Sequence, residues 1–247
     1  MEKQRNVTPT ATAKPTPAAA AARANAKTSA PERLAHALAE LCLPATPQQQ
    51  ADLLRYLSEL LRWNQTYNLT AIRDPDQALV HHIFDSLSLV APLHQRLASY
   101  PTEKATIVDV GSGGGLPGII LAIMLPNIQV TCVDAVEKKT MFVRQMAGVL
   151  ALQNLVALHA RVETLEPLES AIVTSRAFAS LADFAQLAGK HVRDDGSLLA
   201  MKGRPPVEEI DALQALTSWS AHTVQPLIVP ELESQRCLVW MQRKGTQ

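Results

Sequence analysis

The chain has 247 residues, enough for one large domain or for one domain with an appendage. Its 23 basic residues balance its 23 acidic residues, so the overall charge excludes a general attraction to nucleic acid and leaves only local patches for such binding. No run of about 18 apolar residues is present, so no membrane-spanning helix is expected. The three cysteines lie at wide spacings, which predicts a reduced, cytoplasmic protein without disulfides or a metal site.

Residues 1–30 are low in complexity, with Ala, Thr, Pro and Lys in place of large apolar side chains. Such a segment cannot bury enough surface to offset the entropy lost on ordering, so we predict a disordered tail. Because the segment is basic and poor in acidic residues, an organelle transit peptide is the alternative. Its Pro and Ala runs break any basic amphipathic helix, which favours the solvated tail.

Residues 31–98 carry helix signals. Thr46-Pro47-Gln48-Gln49 combines an N-cap, a proline in the first turn and a capping-box glutamine. We expect this helical region to pack as one unit with a domain over residues 99–247. Apolar side chains recur at helical spacing at Leu34, Ala37, Leu38 and Leu41, at Leu53, Leu57, Leu60 and Leu61, and at Leu79, Ile83, Leu87 and Val90.

From residue 105 onward, short β-branched runs alternate with helical patterns. This alternation predicts a parallel, doubly wound sheet with helices on both faces. The last two strands have no helix between them, so we expect an antiparallel hairpin at one edge. The predicted strands are 106–110, 128–133, 155–159, 171–175, 197–201, 222–229 and 236–242, and the predicted helices are 117–125, 137–150, 180–190 and 207–217.

Residues 109–118, DVGSGGGLPG, hold five of the ten glycines in the chain. The segment follows a predicted strand and opens a predicted helix, which is where ligands bind in such sheets. Gly111, Gly113 and Gly115 permit a tight turn and a close approach of the backbone to a ligand. We expect free N–H groups at the helix start to attract negative or polar ligand groups.

Two cofactors compete for this loop. Gly113–Gly118 fits the G-x-G-x-x-G fingerprint of dinucleotide-binding proteins, with Asp134 near the separation of a ribose-binding carboxylate, which would indicate an NAD(P)-dependent oxidoreductase. Counted from Asp109, the pattern D-x-G-x-G-x-G resembles motif I of class I S-adenosylmethionine-dependent methyltransferases. The glycines begin directly after the strand, and a terminal hairpin is predicted. Both features favour the methyltransferase frame, in which Asp109 faces a cationic amino-acid group.

Asp134 ends the second predicted strand, where a carboxylate can accept both hydroxyls of a ribose. Its alternative role is an N-cap for the helix 137–150, and one residue can fill both roles. After the third strand comes Arg161-Val162-Glu163. In the methyltransferase fold this loop borders the adenine ring, with Val162 on the ring and a backbone group of Val162 or Glu163 bonded to the adenine amine. The alternative is an ordinary surface loop.

The fourth strand ends in Ser175-Arg176-Ala177-Phe178-Ala179, a loop that faces the methyl acceptor in this fold. It lacks both the Asn/Asp-Pro-Pro-aromatic stretch used on exocyclic amines and the Pro-Cys nucleophile used on pyrimidine C5. An acceptor with a free lone pair, such as a purine ring nitrogen, needs alignment and electrostatic support but no general base, so no catalytic base is assigned. Arg176 supports transfer, holds the cofactor or forms an ion pair; Phe178 stacks on a base or belongs to the core.

Several motifs in one order resemble the bacterial small-subunit ribosomal RNA (guanine-N7) methyltransferases known as RsmG, or glucose-inhibited division protein B. The resemblance implies a Rossmann-like sheet with an N-terminal helical extension and S-adenosylmethionine as methyl donor. It implies N7 of a guanine in 16S ribosomal RNA, free or in the ribosomal particle, as acceptor. Contacts to the cofactor are implied for Gly111, Leu116, Val162, Glu163 and Arg176. The matching motifs are residues 63–70, 82–86, 109–118, 161–163, 175–179 and 201–203.

The remaining motif residues are candidates for substrate contact. His82 and Asp85 share a helix face with Ser86, and they form either a polar network that shapes the acceptor pocket or a hydrogen-bonded contact between helices. Asn68 is expected to serve a turn or cap, with contact to the target base as its alternative. A rival hypothesis is an RNA-binding assembly factor that holds the cofactor and transfers nothing. The protein is expected to be a monomer. A basic patch facing the RNA is predicted from Arg73, Lys138, Lys139, Lys202 and Arg204.

Overall fold

The computed structural model describes residues 28–101, 105–176, 178 and 180–245. Of the tail predicted over residues 1–30, residues 1–27 lie outside this part of the chain. Its last residues belong to the first helix, α1 (Ala30–Glu40), because Ser29 is the N-cap in a capping box with Glu32. The helical region therefore starts slightly earlier than the sequence predicts.

Among the residues that the structure describes, four helical segments precede the sheet. The predicted start of the second is confirmed, since the Gln49 N–H donates to Thr46 Oγ1 at 3.1 Å and the Thr46 N–H donates to Gln49 Oε1 at 2.9 Å. The third segment contains a π-helical stretch, a feature that often marks functional sites. Within the described residues, no helix is long and apolar enough to cross a membrane. After α1, the segments are α2 (Pro47–Tyr67), α3 (α-helical over Pro75–Ala78, π-helical over Leu79–Phe84 and α-helical over Asp85–Leu87) and α4 (Val90–Leu97).

The second half of the described chain alternates between strands and helices. The strands are β1 (Thr106–Val110), β2 (Gln129–Asp134), β3 (Leu155–His159), β4 (Ser170–Ser175), β5 (Val192–Lys202), β6 (Trp219–Leu227) and β7 (Arg236–Arg243). The helices are α5 (Gly118–Met124), α6 (Glu137–Val149), α7 (Leu181–Ala188) and α8 (Val207–Leu216), with 3₁₀ turns over Val162–Thr164 and Gly189–His191.

The seven strands form one sheet in the order β3-β2-β1-β4-β5-β7-β6. Strands β1 to β5 pair in parallel, and β7 lies antiparallel between β5 and β6. The predicted parallel sheet with a terminal antiparallel hairpin is confirmed. Strand β5 begins five residues earlier than predicted, because Asp194-Asp195-Gly196 interrupts its apolar pattern.

Both faces of the sheet are buried. Ile107 of β1 joins a core cluster with the N-terminal helices, α5 and α6, whereas Val108 and Val110 join a second cluster with α7 and α8. Successive side chains of a strand point to opposite faces, so a strand covered on both sides is a nearly continuous apolar run. The N-terminal helices share the first cluster with the sheet and therefore fold against it.

Tyr56 fastens α2 to the glycine loop, residues 111–118. Its buried hydroxyl donates to the Gly114 carbonyl at 2.7 Å. One turn further along α2, Leu60 Cδ1 lies 2.8 Å from where a Cβ at position 114 would stand, so a side chain there would displace Leu60 or the loop. The N-terminal helices therefore support the glycine loop directly.

Replacing Tyr56 with Phe tests this contact. The substitution leaves the buried Gly114 carbonyl without its donor, so we expect the free energy of unfolding to fall by about 1–3 kcal/mol. Urea denaturation measures the loss. The matched control is Tyr67→Phe, whose side chain is exposed at the end of α2. Equal stability of the two variants would contradict the role given to Tyr56.

Candidate functional site

The glycine loop covers the carboxyl end of β1, with β2 and β4 on either side. Gly111, Gly113 and Gly115 have φ values of 67°, 58° and 87°, a conformation that glycine adopts without steric cost. The expectation of free N–H groups is largely wrong. The Gly111 and Ser112 N–H groups donate to the Val133 carbonyl at 2.8 and 3.2 Å, and the Gly115 N–H donates to the Ser112 carbonyl at 2.8 Å. Most of the loop's donors therefore hold its own shape.

Two cavities open beside this loop and meet at Gly111, which lines both. The β2-side cavity encloses about 360 Å³, and the β5-side cavity about 520 Å³. The β2-side cavity is lined by Asp134, Val162, Glu163 and Phe178, among others. The β5-side cavity is lined by His82, Asp85, Gly113, Leu116, Arg176 and Arg236, among others.

Asp134 braces the loop from the end of β2. Its Oδ2 accepts the Gly113 N–H at 2.9 Å, and its Oδ1 accepts the Val136 N–H at 2.8 Å. The alternative role as N-cap of α6 is wrong, because Val136 occupies that position and the helix start has no side-chain cap. Each carboxylate oxygen keeps a further lone pair, so the group still has capacity to accept from a ligand in the β2-side cavity.

Val162 and Glu163 lie on the opposite wall of the β2-side cavity. The Val162 side chain belongs to the core cluster with α7 and is only 6% exposed. The Val162 carbonyl accepts from His191 Nε2 at 2.8 Å, and the Glu163 carbonyl accepts from Lys190 Nζ at 2.8 Å. These two bonds hold the turn, so the apolar wall stands at a defined position.

Asp109 lies beneath the loop and lines neither cavity. Its Oδ2 accepts the Gly118 N–H at 2.8 Å, and its Oδ1 has no partner in the described part of the chain. Burial raises the pKa of this carboxyl to about 7, against an ordinary value of 3.8. The expectation that Asp109 faces a cationic ligand group is therefore wrong. The carboxyl binds the backbone where α5 begins.

Asp85 links two arginines across the β5-side cavity. Its Oδ2 accepts from Arg176 Nη1 at 3.1 Å and its Oδ1 accepts from Arg236 Nε at 2.9 Å. Arg176 Nη1 also donates to the His81 carbonyl at 3.3 Å. Asp85 is 5% exposed, so this pair of ion pairs stands largely shielded from bulk water. Arg176 lies on the β5 side of Gly111 and not against Asp134.

His82 lines the same cavity from the π-helical part of α3. Its Nε2 lies 2.9 Å from Thr70 Oγ1, and its Nδ1 has no partner among the described residues. Burial, followed by the charge of Arg176, lowers the pKa of His82 to about 4. The imidazole is therefore neutral at neutral pH. His82 and Asp85 both line this cavity, and each also bonds to another element, His82 to Thr70 and Asp85 to Arg176 and Arg236, so a role in shaping an acceptor pocket stays a prediction.

The chain is similar to known proteins over most of its length. A family model described as "GidB: rRNA small subunit methyltransferase G" matches residues 49–239, which include both cavities. The chain belongs to this family. It is 60% identical over 213 residues to a Bordetella pertussis protein named Ribosomal RNA small subunit methyltransferase G, covering 86% of this chain and 93% of that one. A Leptothrix cholodnii protein of the same name is 49% identical over 212 residues, which cover 86% of this chain and 94% of that one.

The solved structures extend the likeness to the fold. The crystal structure of a ribosomal protein L11 methylase from Lactobacillus delbrueckii subsp. bulgaricus matches 65% of this chain and 79% of its own, with a TM-score of 0.50 and 14% identity. At that identity the match shows the fold alone. The predicted class I methyltransferase fold and the resemblance to the GidB family are confirmed, and none of these matches favours the dinucleotide frame.

The structure separates the remaining predicted site residues. Asn68 is the left-handed C-cap of α2, is exposed, and accepts from Arg73 at 2.7 Å, so the expected cap role is confirmed. Phe178 lines the β2-side cavity and packs 5.0 Å from the Phe184 ring, away from the predicted acceptor side. Gly115 lines neither cavity. A Cβ there would overlap Ile119, so its contribution is the turn itself.

Sequence reasoning missed Arg236. This residue begins β7 and has no motif around it, yet it completes the wall of the β5-side cavity. The predicted terminal hairpin could have indicated that Arg236 belongs to the site. A strand paired antiparallel with β5 begins beside the carboxyl end of β5, so its first side chain lies at the ligand edge. Among the described residues, no cluster of His, Cys, Asp and Glu could hold a metal ion.

Replacing Asp109 with Asn tests the buried carboxyl. The pKa of Asp109 is near 7 in the folded state and 3.8 ordinarily. Between pH 3.8 and pH 7 the folded protein therefore keeps a proton on Asp109 that the unfolded chain has lost. The contribution of Asp109 to the free energy of unfolding therefore falls as pH rises from 4 to 7. Asn keeps an oxygen for the Gly118 N–H but cannot ionise.

We expect the free energy of unfolding of Asp109→Asn to rise relative to that of the wild type as pH rises through this window, by at most about 1.4 kcal/mol per pH unit. Denaturant unfolding at several pH values gives the difference. His82 contributes the opposite slope in both proteins, because its lowered pKa adds stability as pH rises, and the subtraction removes that slope. A difference that does not change with pH would show that Asp109 is ionised in the folded protein.

Proposed function

We propose that the protein transfers the methyl group of S-adenosylmethionine to N7 of a guanine in small-subunit (16S) ribosomal RNA. Family membership supports methylation of this RNA. The observation that carries the proposal is the pair of cavities that meet at Gly111. The β2-side cavity presents Asp134 and the apolar Val162 wall, and its two cations, Lys139 and Arg161, lie 3.9 and 3.6 Å from the carboxylates of Asp134 and Glu163. The β5-side cavity presents the guanidinium groups of Arg176 and Arg236. A methyl donor and a guanine need these two surfaces on either side of one point.

The residues beside Gly111 fit the methyl donor. A Cβ at Gly113 would meet no atom within 4 Å, so the face of the loop is open to a ligand. Asp134 offers lone pairs to ribose hydroxyls, and Val162 and Glu163 form the wall for an adenine ring. Leu116 borders the junction from the β5 side. When bound, S-adenosylmethionine supplies an electrophilic methyl group on its sulfonium.

The β5-side cavity fits a guanine. Arg176 uses Nη1 on Asp85 and His81, and its other N–H groups make no bond to the described residues. They can donate to guanine O6 or, from the junction at Gly111, to the carboxylate of the methyl donor. The resemblance to the family implies the second contact. An arginine bound to N7 would block the attack of N7 on the methyl group. We therefore propose that donors in the cavity bind O6 and the Watson–Crick edge of the guanine.

The chemistry requires alignment and no base. Guanine N7 carries a lone pair and no proton, so a bond from N7 to the methyl carbon forms as the carbon–sulfur bond breaks, and no residue has to accept a proton. The guanine ring gains a positive charge in this step. Neutral His82 adds no repulsion to this developing charge, and Asp85 offsets part of the charge of Arg176 and Arg236.

Two rival functions make different predictions. An NAD(P)-dependent oxidoreductase would be stabilised against heat by NAD(P) and not by S-adenosylhomocysteine. An assembly factor would bind S-adenosylhomocysteine and the ribosomal particle but would leave its RNA unmodified. The same proposal places the protein in the cytoplasm as a monomer. Gel filtration with light scattering tests the oligomeric state.

Mapping of modified nucleotides tests the proposed function. We expect small-subunit RNA from a strain lacking this protein to have lost one N7-methylguanosine, and purified protein with labelled S-adenosylmethionine to restore it on particles from that strain. Mass mapping locates the label. Persistence of every N7-methylguanosine in the deletion strain would overturn the proposal, and a label on another atom would correct the acceptor.

Asp134→Ala tests the β2-side cavity. Loss of charge-assisted hydrogen bonds worth about 1.5–3 kcal/mol each should weaken binding of S-adenosylhomocysteine by roughly tenfold or more. Titration calorimetry measures the affinity. Glu137→Ala, an exposed carboxylate three residues away, is the control and should bind normally. Unchanged affinity in Asp134→Ala would leave Asp134 as a brace of the glycine loop alone.

A further inference from the structure

A second crevice shares a wall with the β5-side cavity. It lies between the loop after β5, the start of α8 and the last residues before β7, and encloses about 820 Å³. Lys202, Gly203 and Arg236 line both spaces. We call this space the rim crevice. A ligand in the β5-side cavity can extend into the rim crevice directly across these three residues.

The basic side chains of the rim crevice differ in how they are paired. Lys202 Nζ lies 2.7 Å from Glu209 Oε2, and Arg236 Nε is held on Asp85 at 2.9 Å. Arg204 lines the rim crevice but not the β5-side cavity. It is exposed and forms no ion pair with any described residue. One full positive charge is therefore available at the outer end of the crevice.

The acidic side chains there do not cancel this charge. Glu209 Oε2 accepts both from Lys202 and from the Leu181 N–H at 2.9 Å, so its charge is engaged within the fold. Glu208 is exposed at the start of α8. Its single negative charge is outnumbered by the positive charges of Arg204 and Arg236, which line the same crevice. Arg236 Nη1 donates to Ser234 Oγ and to the Gln235 carbonyl, while its Nη2 makes no bond to the described residues. The crevice is thus a net donor surface for anions.

A guanine inside the β5-side cavity remains joined to the RNA through two phosphodiesters. Thr70 and Ile72 line one part of the cavity. Arg73 follows them in the chain and already donates to Asn68 at 2.7 Å. Elsewhere the cavity shares Lys202 and Arg236 with the rim crevice, where Arg204 forms no ion pair with a described residue. Guanidinium groups match phosphate oxygens in charge and in geometry.

We propose that the rim crevice binds the phosphodiester backbone next to the target guanine, with Arg204 and Arg236 as the contacting side chains. This inference rests on the proposed function, because it takes the occupant of the β5-side cavity to be a nucleotide of an RNA chain. It adds a binding surface that reads the RNA backbone and carries no base specificity. Lys202, already paired with Glu209, forms the wall between the two spaces.

Arg204→Ala tests this surface in the full-length enzyme. The assay is methyl transfer to small-subunit particles from a strain lacking the enzyme, at several KCl concentrations. Loss of one phosphate contact should raise the KM for the particle and leave kcat unchanged, because the contact is made equally before and during transfer. The slope of log(1/KM) against log salt should become shallower by about one.

Arg204→Lys keeps the charge and should restore the slope, a result that a merely structural role would not give. Arg55→Ala removes another exposed arginine, on α2 and outside both spaces, and should match the wild type. Affinity for S-adenosylhomocysteine should be equal in all four proteins. An unchanged KM and slope in Arg204→Ala, with an active wild type, would overturn the inference alone. A wild type that transfers no methyl group would overturn the proposed function instead.

Discussion

One buried carboxylate links the walls of the β5-side cavity. Asp85 of α3 accepts from Arg176, which follows β4, and from Arg236, which begins β7. A carboxylate that is almost fully removed from water requires such partners, because an unpaired buried charge costs several kcal/mol. The cavity therefore exists only when the N-terminal helices are docked on the sheet. The helical region is part of the site and not an accessory to it.

The two cavities at Gly111 differ in what they offer a ligand. Asp134 and the apolar Val162 wall lie toward β2, beside Lys139 and Arg161, which each stand within 4 Å of a carboxylate. Arg176 and Arg236 lie toward β5, where the proposed function puts the guanine. Two buried groups near the loop have shifted pKa values: His82 is neutral at neutral pH because its pKa is lowered to about 4, and Asp109, which lines neither cavity, is partly protonated because its pKa is raised to about 7. Burial is the leading cause of both shifts, in opposite directions because one group is cationic and the other anionic when charged.

Local patterns predicted most of the fold. Apolar runs alternating with helical stripes specify a parallel sheet, since only buried parallel strands lack polar alternation. The glycines after β1 indicated the edge of the sheet where a ligand binds, because positive φ angles at alternate positions of a turn favour residues without a Cβ. The strand before Asp134 placed a carboxylate at that edge. Each of these inferences depends on residues within a few positions of one another, where spacing alone decides geometry.

Contacts between distant residues could not be predicted in this way. The sequence predicts that Arg176 supports transfer, holds the cofactor or forms an ion pair, without naming the partner; it predicts a ligand for Asp109 and no role for Arg236. The structure places Arg176 and Arg236 on Asp85, 91 and 151 positions away in the chain, and places Asp109 under the start of α5. By itself the sequence determined the sheet, the glycine turn and the carboxylate at the end of β2, because these follow from local sterics and periodicity. The tertiary structure alone decided which charged groups share a cavity, because that depends on how the helices and the last strand pack against the sheet.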